Sequence, residues 1–206
     1  GTEEPQGPSA GFRTMNSRIM SQVPGDKVYN TVYAAGFDQN SAQGTRDIVR
    51  EVNSVLASNP SECIILEGYS QGAAATVNAM SQLTGSAFDA VKGVFLIGDP
   101  LHRRGLECNV DNRGGSTTKD VSGISAFGRA GIPQNWVSRT LDVCVFVSPP
   151  YYNTSLLRPV GQRPKGSEAN DTYISLVIAL LSSSPYDSRL VPSSPAIALL
   201  LGPPWC

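Results

Sequence analysis

The sequence predicts an α/β fold in which helices cover both faces of a mainly parallel sheet. Segments typical of strands and of helices alternate over the first 100 residues, which is the pattern of a parallel sheet. An apolar run at residues 64–66 also ends at Gly68-Tyr69-Ser70-Gln71-Gly72, and a helix of small residues is expected to follow. Ligands of such sheets bind at the carboxyl ends of the strands, so Ser70 stands where a ligand is expected.

The other elements follow from apolar spacing and from turn residues. Apolar residues at helical spacing over 12–20 predict a helix that ends before Pro24, and residues 48–56 predict a second helix that Asn59-Pro60 ends. Strands are predicted over residues 27–33, 91–97 and 139–147, and the helix after Ser70 is expected to run to about Leu83. The composition of residues 103–134 predicts a long surface loop with one short helix. The spacing of apolar residues over 171–183 predicts a further helix.

Length and composition restrict the classes of protein. The 206 residues suit one domain, with an α/β core over residues 1–147 and a divergent segment rich in Pro, Ser and Leu over 148–206. Net charge is −1 and no basic run is present, so nucleic acid and anionic membranes are poor candidate partners. The apolar stretches are shorter than the roughly 20 residues that a membrane span needs, so we expect no membrane span. We also expect the protein to be a monomer.

The cysteines and the single histidine bear on metals and on location. Four cysteines, at 63, 108, 144 and 206, have no close CxxC spacing, so neither a structural metal nor a cofactor is expected. No hydrophobic leader opens the sequence, so any secretion signal is expected to have been removed or to lie outside it. Sequons at Asn153 and Asn170 and a low charged fraction favour a secreted protein.

The pentapeptide around Ser70 predicts a nucleophile elbow. Larger side chains at Gly68 or Gly72 are expected to clash with the strand or the helix, and the sharp turn leaves the serine hydroxyl above a helix N-terminus. Oriented backbone amides there favour developing negative charge. The pentapeptide alone is common, and a serine that only caps a helix is the alternative; the strand before it and the helix after it favour the elbow.

Several motifs in combination resemble the fungal cutinase family, with the nearest resemblance to its cutinase-like esterases over residues 1 to about 147. The motifs are Gly68-Tyr69-Ser70-Gln71-Gly72-Ala73-Ala74, Gly98-Asp99-Pro100, Cys108-Asn109-Val110-Asp111, and Ile132-Pro133-x-Asn135-Trp136 followed by Leu141-Asp142-Val143-Cys144. The resemblance implies a small, secreted, three-layer α/β hydrolase without a large lid. It also implies cleavage of esters of cutin, short acyl chains or acetylated polysaccharide by a Ser-His-Asp triad.

The resemblance assigns three site residues. Ser70 falls on the nucleophile and Gln71 on the backbone donor of the oxyanion hole. Gly1-Thr2-Glu3-Glu4 resembles the family's oxyanion loop, which places Thr2 on the side-chain donor; a frayed terminal residue is the alternative for Thr2.

The sequence departs from the family at both ends. In the family a strand carrying a partner for Cys63 precedes the oxyanion loop, whereas the given sequence opens on the loop. After Cys144 the family has an acid segment and then a histidine, and neither is found here. The abrupt change of pattern after residue 147 suggests a truncated or mis-spliced version of such a sequence. Disulfides between Cys63 and Cys206 or between Cys108 and Cys144 are open alternatives.

His102 is then the sole candidate base, with Asp99 or Asp111 to orient it. A solvated loop histidine is the favoured alternative, and Asp142 is expected at a strand edge or in a salt bridge.

Two functions are compatible with the sequence. One is a serine ester hydrolase acting through Ser70; the other is a catalytically incomplete hydrolase-fold protein that binds a polymer or partner through residues 103–136 and Tyr151-Tyr152.

Overall fold

The computed structural model describes residues 1–23 and 25–145. Four strands form one sheet within this part of the chain: β1 (Ile64–Tyr69), β2 (Val91–Ile97), β3 (Asn109–Asp111) and β4 (Thr140–Cys144). Their order is β1-β2-β4-β3, and every neighbouring pair is parallel. The predicted parallel sheet is therefore confirmed, and its carboxyl edge carries the residues that follow β1 and β2.

Helices lie on both faces of the sheet. Their bounds are α1 (Arg13–Gln22), α2 (Ala42–Ser58), α3 (Gln71–Met80), α4 (Ser86–Ala90) and a 3-10 helix over Gln134–Arg139. Helix α1 packs its Met15 and Ile19 on one face, against Ile65 and Phe95 of the sheet. The other helices cover the opposite face, where Leu66 belongs to the larger apolar cluster. The molecule is a three-layer α/β sandwich, as the sequence predicts.

The predicted strand over residues 27–33 is wrong. In the described part of the chain these residues belong to no strand, and some of their backbone groups bond to side chains. The Gln6 side-chain amide donates to the carbonyls of Asn30 and Thr31 at 3.1 and 3.3 Å. On the other side, the Val32 N–H donates to the Asp47 carboxylate at 2.7 Å. Alternation of residue types in the sequence therefore does not show whether a neighbouring strand is present.

Other differences are smaller. Strand β3 lies inside the region predicted as a loop, α4 was not predicted, and α3 ends at Met80. Among the described residues, no helix combines the length and apolar character that a membrane crossing requires. The divergent segment over 148–206, the helix predicted over 171–183 and both sequons lie outside the described residues.

A groove separates β1 from the extended residues 28–31, and Glu67 of β1 lines it. One oxygen of the Glu67 carboxylate accepts a hydrogen bond from the Asn16 amide at 3.0 Å, whereas the other has no partner within the described chain. Burial raises the pKa of Glu67 to about 8, and the Asn16 bond offsets only part of that rise. The folded protein therefore holds a proton here that the unfolded chain releases.

We expect replacement of Glu67 by glutamine to flatten the pH dependence of stability. Burial raises the pKa of Glu67 from its ordinary 4.5 to about 8 on folding, so the folded state binds more protons between these values and wild-type stability falls as pH rises through that window. Glutamine stays neutral and can still accept from Asn16. Urea denaturation between pH 5 and pH 8.5 should show the difference in unfolding free energy between Glu67→Gln and wild type growing with pH. The exposed Glu107→Gln is the control, and parallel pH profiles for wild type and Glu67→Gln would contradict the expectation.

Candidate active site

Ser70 occupies a strained turn between β1 and α3. Its backbone angles are φ 53° and ψ −118°, a conformation that residues other than glycine rarely adopt. Neighbouring bonds hold it there: the Ser70 N–H donates to the Ile97 carbonyl at 2.9 Å, and the Ser70 carbonyl accepts from the Ala73 N–H at 2.9 Å. The side chain is half-buried at the carboxyl edge of the sheet. This is the geometry that the sequence predicts for a nucleophile elbow.

The two glycines of the motif, Gly68 and Gly72, differ in the space that is available for a side chain. A Cβ at Gly68 would lie 2.6 Å from the Ala73 Cα and 2.9 Å from the Thr76 hydroxyl, closer than real atoms approach. A Cβ at Gly72 would meet only the Tyr33 hydroxyl, at 3.6 Å, which is an ordinary contact. The expected clash is therefore present at Gly68 and wrong at Gly72, because the backbone of Ala73 approaches Gly68 closely and only the Tyr33 hydroxyl comes near Gly72.

Gln71 is the first residue of α3 and lies next to Ser70. Backbone N–H groups in the first turn of a helix have no partner inside the helix, so they are available to a negatively charged oxygen. The Gln71 side chain is only 1% exposed, and its amide donates to the Gly36 carbonyl at 2.9 Å. This bond anchors the residue whose N–H is the candidate oxyanion donor.

The loop over residues 1–4 is attached to the same neighbouring segment. The Glu3 N–H donates to the Ala35 carbonyl at 2.7 Å, and the Thr2 hydroxyl accepts from the Gln39 amide at 3.0 Å. Thr2 is thus bonded rather than frayed, and residues 35–39 hold both the loop and the start of α3. Sequence reasoning missed this segment because its contacts join residues more than 30 positions apart.

His102 lies in the interior, and the expectation of a solvated loop histidine is wrong. Its side chain is 1% exposed, and Nδ1 lies 2.6 Å from a carboxylate oxygen of Asp142, a β4 residue that is itself fully buried. The salt-bridged role predicted for Asp142 is confirmed. Burial opposes the charged ring, but the Asp142 bond and the Thr118 carbonyl prevail and raise the pKa of His102.

Neither of the other two aspartates orients His102 through a hydrogen bond. Asp99 accepts from the Leu101 N–H at 2.9 Å, and burial together with the charge of Asp142 raises the pKa of Asp99 to about 7. Asp111 instead organises its own loop. Its carboxylate accepts from the Thr117 hydroxyl at 2.6 Å and from nearby backbone N–H groups, which lowers the pKa of Asp111 to about 2.

The structure places His102 with Asp142 and shows no hydrogen bond from it to Ser70 within the described residues. Strand β2 lies between β1 and β4, so strand spacing alone separates the Asp142 backbone from that of β1 by roughly 10 Å. The ring is enclosed between Asp142 and the loop that contains Thr118. In the described structure the histidine is therefore bonded to Asp142 and not to the Ser70 hydroxyl.

The cysteines and acidic groups add no further site. Cys108 and Cys144 are free thiols, so a disulfide between them is wrong. The β3–β4 register explains this, because Asn109 lies opposite Asp142 and Cys108 is therefore about three residues, or about 10 Å, from the level of Cys144. The Cys63–Cys206 alternative involves a residue outside those described. No group of three or more potential metal ligands occurs in residues 1–23 and 25–145.

The geometry agrees with comparisons to known proteins. A model of the cutinase family matches residues 1–149. The chain belongs to the cutinase family. It is similar to a cutinase-like protein from Cryptococcus sp. of known structure, with 61% identity and a TM-score of 0.69 over 70% of this chain and 72% of that one. An acetyl xylan esterase structure, 23% identical with a TM-score of 0.61, covers 88% of this chain and 93% of its own and supports the fold alone.

Curated members of the cutinase family are similar over shorter regions. Cutinase 11 from Verticillium dahliae is 32% identical over 121 residues, which are 47% of this chain and 41% of that protein. Acetylxylan esterase 2 from Talaromyces purpureogenus is 33% identical over 121 residues, or 47% of this chain and 52% of that one. Cutinase cut1 from Trichoderma harzianum is 38% identical over 69 residues, 34% of this chain and 28% of its own. The chain thus spans about half or less of these curated relatives.

Alanine at the two motif glycines should have unequal effects on stability. Gly68→Ala forces a methyl group to 2.6 Å from the Ala73 backbone and should lower the unfolding free energy by about 1–3 kcal/mol. Gly72→Ala has an ordinary 3.6 Å contact and is the matched control, with an expected loss of less than about 1 kcal/mol. Urea titrations of the two variants provide the measurement. Equal losses would contradict the close packing of α3 on β1.

The buried pair of His102 and Asp142 should contribute to stability in a coupled way. His102→Gln leaves a buried carboxylate without its partner and should cost about 3–5 kcal/mol, whereas the double variant with Asp142→Asn should lose less than the sum of the single changes. Arg50→Gln is the control. Arg50 pairs with Asp47 at 2.6 Å, but its side chain is 65% exposed, so its loss should cost less than about 1 kcal/mol. Additive costs for His102 and Asp142 in a denaturation cycle would show that the two groups act independently.

Proposed function

We propose that this chain is a cutinase-like serine ester hydrolase whose nucleophile is Ser70. The observation that carries the proposal is the strained turn, in which a serine with φ 53° begins a helix whose first free N–H belongs to Gln71. Such a turn costs about 1–3 kcal/mol and persists only when its surroundings hold it. Strain at this position supports a nucleophile that is presented to a substrate.

The proposed chemistry is acyl transfer in two steps. The Ser70 oxygen attacks the ester carbonyl while its proton passes to a base, and collapse of the tetrahedral intermediate releases the alcohol, which takes that proton. Water then attacks the acyl-enzyme and releases the carboxylic acid and free Ser70. The Gln71 N–H and the Thr2 hydroxyl would donate to the oxyanion in both steps, each contributing about 3–4 kcal/mol. His102 is the proposed base, with Asp142 as the residue that positions it.

Ester substrates are proposed as a class. Cutinases and acetylxylan esterases are both among the relatives, which supports esters of cutin, short acyl chains or acetylated polysaccharide. We also propose a secreted monomer that acts without a cofactor. Secretion is supported by the sequons and the low charged fraction, and the substrates themselves would be extracellular polymers.

A second candidate is a catalytically incomplete hydrolase-fold protein that binds such a polymer or a protein partner. The specific observation in its favour is the enclosure of the only histidine in the sequence. The ring is 1% exposed, its Nδ1 is bonded to Asp142, and no hydrogen bond joins it to Ser70 in the described part of the chain. The buried ion pair would then have only a structural role.

Covalent labelling and ester turnover together separate the two candidates. With a fluorophosphonate probe, the wild type should become labelled on Ser70, identified by peptide mass spectrometry, and should hydrolyse a p-nitrophenyl ester. Ser70→Ala should abolish both, while Ser81→Ala, a change at an exposed serine beyond α3, should leave both intact. His102→Gln should lower turnover by about a thousandfold or more if His102 is the base. This assay must be run below the melting temperature of that variant.

The outcomes differ for the two candidates. Turnover unaffected by Ser70→Ala would overturn the hydrolase proposal. Labelling of Ser70 with slow turnover that His102→Gln does not change would favour the incomplete hydrolase, because oxyanion stabilisation and binding alone leave residual catalysis. Since His102→Gln also removes a structural pair, a matched loss of turnover in the Asp142→Asn variant is needed to assign the positioning role.

A further inference from the structure

A groove with a polar lining lies between the first turn of α2 and the end of α3. We call it the α2–α3 groove, and its volume is about 450 Å³, within the range of known ligand sites. Among the described residues that line it, Ala42 alone is apolar. The other lining residues carry amides, hydroxyls, two guanidinium groups and one carboxylate. An apolar acyl chain therefore has little to pack against in this groove.

Two arginines of the groove have no counter-ion in the described part of the chain. Arg46 belongs to α2 and Arg129 to the loop after β2, and both side chains are exposed. Neither makes a hydrogen bond or an ion pair with another described residue, whereas Arg50, one turn further along α2, pairs with Asp47. The only carboxylate in the lining is that of Asp38, which accepts from the Asn40 N–H at 3.1 Å. Guanidinium groups bind carboxylates with good geometry, so the groove suits an anion.

A nearly buried hydroxyl in the same groove also has no partner. Ser41 is the N-cap of α2 and is only 7% exposed. Its hydroxyl caps no backbone N–H of the helix and makes no hydrogen bond to another described residue. The Ala42 N–H donates to the Asn40 side chain instead, at 3.2 Å. Since buried hydroxyls are normally hydrogen-bonded, Ser41 is a second, independent indication of a polar ligand in the groove.

The α3 side of the groove presents amide side chains. The Gln82 amide donates to the Asn78 carbonyl at 3.3 Å, which leaves the Gln82 side-chain oxygen and the Asn78 side chain free to bond to a ligand. Amides both donate and accept, as the hydroxyls of a sugar require. The groove also reaches Gln39, whose amide donates to the Thr2 hydroxyl at 3.0 Å. It therefore adjoins the loop that carries the candidate oxyanion donor.

We propose that the α2–α3 groove binds a polysaccharide chain that carries carboxylates, as uronic acid residues do. Arg46 and Arg129 bind the sugar carboxylate, and Ser41 with the amides of α3 exchanges hydrogen bonds with the sugar hydroxyls. Binding in the groove does not depend on the chemistry at Ser70. That the bound chain is also the substrate rests on the proposed function, within which it selects acetylated acidic polysaccharide over cutin, because cutin is an apolar polyester.

Isothermal titration calorimetry on the full chain with Ser70→Ala tests binding in the absence of turnover. The probes are a hexamer of galacturonate, a neutral hexamer of xylose and a hexamer of glutamate. The galacturonate hexamer should bind at least about tenfold more tightly than the xylose hexamer, because only the former supplies carboxylates. Its affinity should fall as salt concentration rises. The glutamate hexamer should bind more weakly than the galacturonate hexamer, because it has no hydroxyls.

Single substitutions added to this variant locate the site. Arg46→Gln and Arg129→Gln should each weaken binding of the galacturonate hexamer by about tenfold, since each removes a charge-assisted hydrogen bond. Ser41→Ala should weaken it by about threefold or more. Arg13→Gln is the matched control, an exposed arginine of α1 on the opposite face of the sheet, and should leave the affinity unchanged. The melting temperature of each variant shows whether it is folded.

Three binding results would overturn the inference. Equal affinity for the galacturonate and xylose hexamers would exclude recognition of the carboxylate. Equal affinity for the galacturonate and glutamate hexamers would show a site for polyanions in general, which an acidic peptide could fill. Unchanged affinity in both Arg46→Gln and Arg129→Gln would show that the sugar binds outside the groove.

Turnover separates this inference from the proposed function. With Ser70 intact, the double variant of Arg46→Gln and Arg129→Gln should raise the KM for acetylated polygalacturonate by about tenfold or more and leave kcat/KM for p-nitrophenyl acetate unchanged. An equal change for both esters would overturn the role of the groove in substrate binding. Turnover of p-nitrophenyl acetate without binding of the galacturonate hexamer would overturn this inference alone. Binding of that hexamer without turnover of either ester would instead overturn the hydrolase proposal.

Discussion

The turn at Ser70 is the constraint on which the arrangement of the site depends. A serine held at φ 53° is stable only because the Ile97 carbonyl receives its N–H and because Gly68 lets the backbone of Ala73 approach the strand. The turn fixes where α3 begins, and so fixes the position of the Gln71 N–H beside the hydroxyl. The local cost of strain is offset by packing of α3, whose Ala73 and Ala79 are fully buried against the sheet. The geometry at this position therefore depends on close helix–strand packing more than on any single polar contact.

The buried pair of His102 and Asp142 stabilises a different part of the molecule. It connects the loop after β2 to β4, and the loop is tied down further where the Gly123 N–H donates to the His102 carbonyl at 2.8 Å. Both partners are buried, so removal of either leaves the other without its hydrogen-bond partner in an enclosed site. The pair is buried, so the His102–Asp142 bond links the loop to β4 and the ring is shielded from solvent.

The sequence predicted the features that local pattern controls. Apolar spacing located α1, α2, β1, β2 and β4, and the pentapeptide located the elbow, because burial of one face determines each of these. The predictions that failed concern contacts between residues that are far apart in the sequence. Residues 27–33 alternate as a strand should, but pattern carries no information on whether another strand lies beside them. The pairing of His102 with Asp142 joins residues 40 positions apart, and only the register of β4 against β2 brings the carboxylate to the ring.

Tyr69 lies between the sheet and the candidate oxyanion hole. It is the last residue of β1 and immediately precedes Ser70. Its ring packs against the loop that carries Thr2, so closely that a Cβ at Gly1 would lie 2.9 Å from the ring, and one at Gly11 would lie 2.8 Å from it. Packing of the Tyr69 ring therefore connects the loop that carries Thr2 to the residue before Ser70, and this connection runs through side-chain contacts.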